Sequence, residues 1–399
     1  MTGYAKYIFL LLFLPLLGLQ ACVQVAPNLE QNVRVTRNGR ATEPQIPLSV
    51  VSDESSAEQF QLAKNQGKAV AEAASYAMRQ TQSGEMRAGE YQLIYLLEKP
   101  KGYYEQQNGK LTWHEPQQNA FLSVAVLDGY DGRIVPGLEV TATVEGALGA
   151  AVQEVPLAFG WFPLLHRYGD NISLPSSGNY TIRFHIKPAQ FWRHDPVNGD
   201  RFASPAMAEF TDVTIDLNSL QDAEDPANEQ EWLPLAKEQG RMLERSLDAM
   251  IASEAMDGAE TKLGDYDLAY GVEFAEGYWR FIKDKLKYKI SVEYSAENNA
   301  HVEVAPRDAL TGRLLPGLQV TTTFFRNGEQ VNSYSPMFMW HPWLYHYGQN
   351  IRVPGSGNYT LQVQVAPPPY RRYGYGIGNI MAQPITYTFE DVDVVTGQK

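Results

Sequence analysis

The sequence contains one cysteine, Cys22, in 399 residues. A single cysteine cannot form an internal disulfide, and it excludes zinc ribbons, Cys-x-x-Cys redox motifs and iron–sulfur clusters. Basic residues are also few: 33 Lys and Arg face 46 Asp and Glu, for a net charge of −13. Such a chain repels a phosphate backbone, so a nucleic-acid partner is not expected. Catalytic motifs of the Gly-x-Ser-x-Gly, phosphate-loop and His-Glu-x-x-His types are missing as well, and we do not expect an enzyme.

The longest apolar run near the N-terminus, residues 8–19, is too short to cross a bilayer, which takes about 20 residues. A short charged start followed by such a run is typical of a secretory signal peptide. The stretch Leu19-Gln20-Ala21-Cys22 resembles the lipobox of bacterial lipoproteins, in which the cysteine is lipidated, for example with palmitate. The alternative is an ordinary signal peptide with a chance cysteine. Val23 stands where an Asp marks inner-membrane retention, which favours the outer membrane and a periplasm-facing lipoprotein.

The body of the chain is an internal duplication. Three stretches occur twice: Leu-Ala-Lys-x-Gln-Gly at 62–67 and 235–240, Gly-Arg-x-x-Pro-Gly-Leu at 132–138 and 312–318, and Gly-Asn-Tyr-Thr at 178–181 and 357–360. This period is too long for a solenoid and indicates a duplicated domain. We predict a signal peptide at 1–21, a flexible tether at 22–57, a first repeat at 58–217, a linker at 218–230 and a second repeat at 231–399.

Each repeat begins with a helical pattern and continues as strands. Apolar or small residues recur at intervals of three and four near the start of the second repeat, at Leu233, Ala236, Gly240, Leu243 and Leu247. Later segments alternate or are β-branched, and Pro-Gly and Gly-Asn pairs separate them. The predicted fold class is mainly β: two tandem immunoglobulin-like β-sandwiches, each preceded by a helical segment.

Ligand-type side chains are concentrated in the second repeat. On a strand, His301 and Glu303 lie on the same face, which is an unusual pair for a core. Residues 337–348 combine Met337, Met339, His341 and His346 with aromatic residues. Thioether and imidazole groups suit copper, and an added carboxylate makes ferrous iron a candidate. The alternative is that the methionines fill gaps in the core and that the histidines bond to backbone groups in a loop.

These residues resemble the bacterial periplasmic iron-transport protein family, immunoglobulin-like proteins that bind copper or iron beside ferrous-iron permeases. His301 and Glu303 match the family's His-x-Glu strand, and Met339 lies seven residues before His346 of a His-Tyr-Gly-x-Asn motif, as in the family. The similarity covers roughly 115–217 and 295–395, without the helical arms. One departure is the tripeptide before His346, which is Trp-Leu-Tyr at 343–345 instead of the family's Asp-Gly-Pro.

The first repeat has lost the matching ligands and kept another. Its equivalents of the four ligand positions are non-ligating or cationic residues: Phe121, Ser123, Gly160 and Arg167. It retains His194 in a Phe-Trp-Arg-His-Asp segment, whereas the second repeat has Tyr373 at that position. In the family this late histidine comes from the partner subunit of a homodimer. The resemblance therefore implies a monomeric pseudo-dimer with one composite site for one copper or iron ion per chain: His194, His301, Glu303, Met339 and His346, with His341 as an alternative ligand.

The function expected from the sequence is a metal-binding lipoprotein of the cell envelope that takes part in iron or copper uptake and passes the ion to an inner-membrane iron permease. The alternative is a non-catalytic scaffold lipoprotein that binds a protein or glycan without metal. His166 is a candidate replacement ligand in the first repeat, whereas His185 and His114 are expected at the surface. Because ligation needs neutral imidazole, metal binding is expected to weaken below roughly pH 6.

Overall fold

A computed structural model describes residues 56–146, 151–195, 198–224, 228–253, 255, 257–275, 277–283, 285–289 and 299–396. The predicted signal peptide, Cys22 and nearly all of the tether lie outside the described residues. The described residues all belong to one compact unit, Pro44–Lys399. Neither helix in this part of the chain is long and apolar enough to cross a membrane.

Two long helices, α1 (Ala57–Gln80) and α2 (Glu229–Ser253), precede the strands of the two repeats and pack against each other. A capping box starts α1: Ser56 Oγ accepts from the Gln59 backbone N–H, and Gln59 Oε1 accepts from the Ser56 N–H. The predicted fold class, mainly β with a helix ahead of each set of strands, is confirmed.

The first repeat folds into two layers that share one long strand. One layer has the order β1-β2-β5-β8-β7, and the other consists of β7, β6, β9 and β11. Their inner faces enclose a core of alternating residues such as Leu122, Val124 and Ile182. The strands are β1 (Gln82–Ala88), β2 (Tyr91–Glu98), β3 (Tyr103–Gln107), β4 (Lys110–His114), β5 (Ala120–Asp128), β6 (Val140–Gly146), β7 (Ala151–Trp161), β8 (Arg167–Ile172), β9 (Gly178–Ile186), β10 (Trp192–Arg193) and β11 (Ala206–Ile215).

The second repeat has the same plan, with the long strand split in two. One sheet begins β12-β13-β16-β20-β19, and the other is β18-β17-β21-β23. The strands are β12 (Asp257–Leu263), β13 (Tyr266–Glu273), β14 (Tyr278–Ile282), β15 (Lys285–Lys289), β16 (Ala300–Asp308), β17 (Val320–Arg326), β18 (Glu329–Tyr334), β19 (Met337–Trp340), β20 (His346–Ile351), β21 (Gly357–Val365), β22 (Arg371–Tyr373) and β23 (Ile385–Val394).

Each repeat gives one short strand to a sheet of the other. Strand β10 of the first repeat lies between β19 and β14 of the second, parallel to β19 and antiparallel to β14. Strand β22 of the second repeat lies in the same way between β7 and β3 of the first. The sequence predicts two tandem sandwiches, and the structure adds that each completes a sheet of the other.

Both helices approach a turn of their own repeat very closely. A Cβ atom on Gly67 would lie 1.7 Å from the carbonyl oxygen of Asp131, and one on Gly240 would lie 1.9 Å from that of Thr311. No residue with a side chain fits at either position without displacing the backbone. This contact explains the glycine that ends the duplicated Leu-Ala-Lys-x-Gln-Gly stretch.

Candidate metal centre

Four of the predicted ligand residues lie together inside the molecule. His194, His301, Glu303 and His346 are all buried, and each offers one ligand atom such that all four atoms lie within 4.8 Å of one another. His194 belongs to the first repeat, directly after the exchanged strand β10, and the other three lie on β16 and β20 of the second repeat. Both repeats therefore contribute side chains to one cluster.

The pairing of the strands produces this arrangement. His301 faces Asn350 and Glu303 faces Gly348 across β16 and β20, while Met339 faces His346 across β19 and β20. Residues directly opposite each other in an antiparallel pair share a face of the sheet, so these side chains project together. The parallel pairing of β10 with β19 continues beyond the strand, because the His194 N–H donates to the carbonyl of Trp340 at 2.8 Å.

Because Gly348 has no side chain, there is space above it, and the ligand atoms converge on that space. A Cβ atom at this position would lie 2.4 Å from Met339 Sδ, 2.7 Å from His301 Nε2 and 2.9 Å from His346 Nε2. The sulfur and two imidazole nitrogens thus surround one point above a residue that has no side chain. Met339 and His301 are 0% and 1% exposed, so this point is shielded from bulk water.

The carboxylate of Glu303 lies between two of the histidines. Its Oε1 atom is 3.1 Å from His346 Nε2 and 3.7 Å from His194 Nδ1. Burial, together with the nearby His194, His301 and His341, holds the pKa of His346 well below its usual value. The His346 ring is therefore neutral at pH 7, which is the form that ligates a metal.

Asn350 fixes the tautomer of His301. Asn350 Oδ1 lies 2.7 Å from His301 Nδ1 and accepts its proton, so the lone pair is on Nε2, the nitrogen that faces the point above Gly348. Tyr347 anchors the same strand from the opposite face: its hydroxyl donates to Leu315 O at 2.8 Å and accepts from Leu318 N–H at 2.7 Å. Each named position of the His-Tyr-Gly-x-Asn motif thus has a separate physical role.

His341, the predicted alternative ligand, lies at the edge of this cluster. It is 5% exposed, and its ring centroid is 5.5 Å from that of His194 and 6.3 Å from that of His346. It does not belong to the group of four convergent ligand atoms.

The equivalent place in the first repeat is filled by aromatic rings. Phe121, Phe162 and Tyr373 form a buried cluster, and the rings of Phe162 and Tyr373 stack at 4.1 Å with an interplanar angle of 5°. A Cβ atom on Gly169, the counterpart of Gly348, would lie 2.6 Å from the Phe121 ring instead of a ligand atom. These rings leave no set of ligand atoms around the point.

Arg167 stands where the second repeat has His346, and it brings its own positive charge. Its guanidinium is fully buried and pairs with Glu98 at 2.9 Å and with Glu224, and its Nε donates to Ser123 Oγ at 3.0 Å. The first repeat thus has a cationic side chain with two carboxylate partners at this position, whereas the second repeat has the neutral ring of His346.

The remaining histidines lie elsewhere. His185 is exposed on β9, as predicted, and His114 is half-buried, where its ring stacks on Tyr103 at 5.1 Å. His166 is buried beside Phe159 and Trp161. Burial, with added repulsion from Arg313 and Arg167, holds the pKa of His166 well below its usual value. Two neighbouring guanidinium groups make this a poor place for a metal cation.

The fold and the cluster together define a class: a β-sandwich protein with a buried histidine, methionine and carboxylate centre. Residues 259–382, which include every cluster residue of the second repeat, match the family model described as Fe2+ transport protein. The resemblance found in the sequence is confirmed for this part of the chain, which is less than half of its length. The match does not include His194.

The solved structures to which this chain is similar include FetP and P19. FetP from uropathogenic Escherichia coli strain F11 is 19% identical, with 36% of this chain and 97% of that chain covered and a TM-score of 0.27. A copper-bound variant of Campylobacter jejuni P19 is 15% identical, with 36% and 97% covered and a TM-score of 0.27. No curated protein matches the chain. At these TM-scores the solved structures carry no argument, and the resemblance rests on the family model.

Proposed function

We propose that this chain binds one copper or ferrous iron ion at a composite site formed by His194 from the first repeat and by His301, Glu303, Met339 and His346 from the second. The observation that carries the proposal is the convergence above Gly348, where a thioether sulfur and two imidazole nitrogens lie within 2.9 Å of one point. The ion is cargo that the protein captures and releases, and no catalytic step is assigned to it.

The donor set fits these two metals. Sulfur and imidazole are preferred by copper, and a carboxylate beside imidazole is a ligand set of ferrous iron. Glu303 supplies a carboxylate beside His194 and His346, and the orientation of His301 by Asn350 is the kind of outer hydrogen bond that metal-binding histidines use. The neutral His346 ring adds no repulsion to an incoming cation.

The proposed setting is the cell envelope. A lipid on Cys22 would hold the protein at a membrane, with the outer membrane favoured, and the tether would hold the folded body roughly 30 Å off the membrane surface. In this role the protein delivers iron or copper for uptake. The match of residues 259–382 to the Fe2+ transport protein model supports this assignment.

The test is metal stoichiometry of the full-length protein. We expect one copper ion per chain, and we expect His194→Ala and His301→Ala each to weaken binding by more than 100-fold, while His185→Ala, at an exposed strand position, leaves it unchanged. Equal binding by the wild type and both site variants would contradict the composite site. A wild type that binds neither copper nor Fe(II) would favour the scaffold function.

The uptake role has a separate test. Cells that lack this chain are expected to accumulate less metal under iron or copper limitation, with recovery by the wild-type gene and not by the His194→Ala variant. Full recovery by that variant would refute the uptake role even if the purified protein binds metal.

A further inference from the structure

The segment 341–345 joins the two strands that present Met339 and His346, and it has no regular secondary structure of its own. Its carbonyl groups are nevertheless held by side chains from far away in the sequence. Arg133 Nη2 donates to His341 O at 3.1 Å and to Pro342 O at 2.9 Å, and Gln66 Nε2 donates to Trp343 O at 3.0 Å. Three consecutive carbonyls of the segment are therefore fixed by the first repeat.

These two donors are themselves held rigidly. Asp131 Oδ2 lies 3.0 Å from Arg133 Nε and 2.9 Å from Nη2, and the Arg133 guanidinium faces the ring of Tyr345 at 4.4 Å. Gln66 also donates to Ser246 Oγ of α2 at 2.7 Å. Arg133 is 2% exposed and Gln66 8%, so water does not compete strongly for these hydrogen bonds.

We infer that Arg133 and Gln66 are positioning residues of the metal site, which support the paired ends of β19 and β20 by holding the segment that connects Met339 to His346. This inference rests on the proposed function. Neither residue belongs to the group of ligand atoms. Both lie in the duplicated stretches at 62–67 and 132–138, and none of the proposed ligands comes from those stretches. The helical arm and the 131–133 turn of the first repeat thus belong to the machinery of a site that lies mainly in the second.

The duplication supplies an internal control. The second repeat holds a segment of the first in the same way. Arg313 Nη2 donates to Phe162 O at 2.8 Å and to Pro163 O at 2.9 Å, and Gln239 Nε2 donates to Leu164 O at 2.9 Å. This second set of contacts has the same chemistry and burial, but it holds the segment beside the aromatic cluster of Phe121, Phe162 and Tyr373, where no ligand atoms converge.

The experiment compares Arg133→Gln with Arg313→Gln in the full-length protein, titrated with Cu(II) against a competing chelator and with Fe(II). We expect Arg133→Gln to weaken copper binding by about 10- to 100-fold, as loss of an outer partner does at other metal sites. It should also change the visible and electron paramagnetic resonance spectra of bound Cu(II). Arg313→Gln should lower the melting temperature by a similar amount but keep wild-type affinity and spectra.

Equal copper affinities for the two variants, whether both unchanged or both reduced, would overturn the inference, since a purely structural role makes the two arginines equivalent. If Arg133→Gln does not fold, the milder pair Gln66→Leu and Gln239→Leu decides by the same comparison. A wild type that binds no metal overturns the proposed function and this inference with it, whereas a wild type that binds metal while the paired variants agree overturns the inference alone.

Discussion

Gly348→Ala is the sharpest perturbation of the metal centre, because it adds one carbon at the point where the ligand atoms meet. The new Cβ would lie 2.4–2.9 Å from Met339 Sδ, His301 Nε2 and His346 Nε2. Nonbonded carbon contacts need about 3.5–4.0 Å, so each donor must retreat by roughly 1 Å. Metal bonds of about 2.0–2.3 Å tolerate no such shift. We expect copper affinity to fall by more than the ~10–100-fold that loss of an outer partner costs.

The metal-free protein should survive this change. Overpacking by one methyl group costs about 1–3 kcal/mol of unfolding free energy, and the displaced atoms lie at the ends of side chains. Copper at 100 times its dissociation constant stabilises the wild type by about 2.7 kcal/mol, and a 100-fold weaker site retains only about 0.4 kcal/mol of that. The assay is thermal or denaturant unfolding with and without copper, alongside a chelator competition.

Gly169→Ala is the matched control, because Gly169 has the equivalent place in the first repeat and its Cβ would meet the Phe121 ring and Ser123 Cβ. It should destabilise the protein to a similar extent and leave the stabilisation by copper intact. The reasoning would be refuted by a Gly348→Ala protein that still binds one copper ion with wild-type affinity.

Three further predictions concern buried ionisable side chains. Because His166 is held neutral in the folded state, with its pKa lowered by burial and by Arg313 and Arg167, unfolding takes up a proton below about pH 6.5. His166 should therefore contribute a fall in unfolding free energy of about 1.4 kcal/mol per pH unit below that point, so the decline should be less steep in His166→Phe than in a His185→Phe control, as measured by denaturant titration. Arg167→Leu removes the guanidinium that faces two buried carboxylates and should cost about 3–5 kcal/mol of unfolding free energy with copper affinity kept; a loss below 1 kcal/mol would contradict the ion-pair argument. Glu303→Gln should weaken Fe(II) binding about tenfold more than copper binding, because the harder ion depends more on the carboxylate, and equal losses in parallel titrations would argue against that role.

The convergence of the candidate ligands could be predicted from the sequence because two patterns agreed. Alternation placed His301 and Glu303 on one face, and the family motif related Met339 to His346. The replacement of the same positions by Phe121 and Arg167 in the first repeat pointed to a single site. The structure brings these second-repeat residues together with His194. Their role as metal ligands stays a prediction.

The exchanged strands and the supporting contacts could not be predicted. Strand β10 has two residues, too few for any periodicity, and its place beside β19 depends on parallel pairing with residues almost 150 positions away. Gln66 was visible as part of a duplicated stretch, but its carbonyl partner on Trp343 is 277 residues distant. Local patterns report which face of an element is buried, and they carry no information about which distant segment covers it.

The exchanged strand β10 also affects how the site responds to dilution. When two separate chains share a set of ligands, the site falls apart as the protein concentration drops below the dissociation constant of the dimer. Here His194 and His301 belong to one chain, so their encounter is intramolecular and its effective concentration is fixed by the fold. A cell that makes only a few copies of this protein therefore has the same site geometry in each copy as a cell that makes thousands.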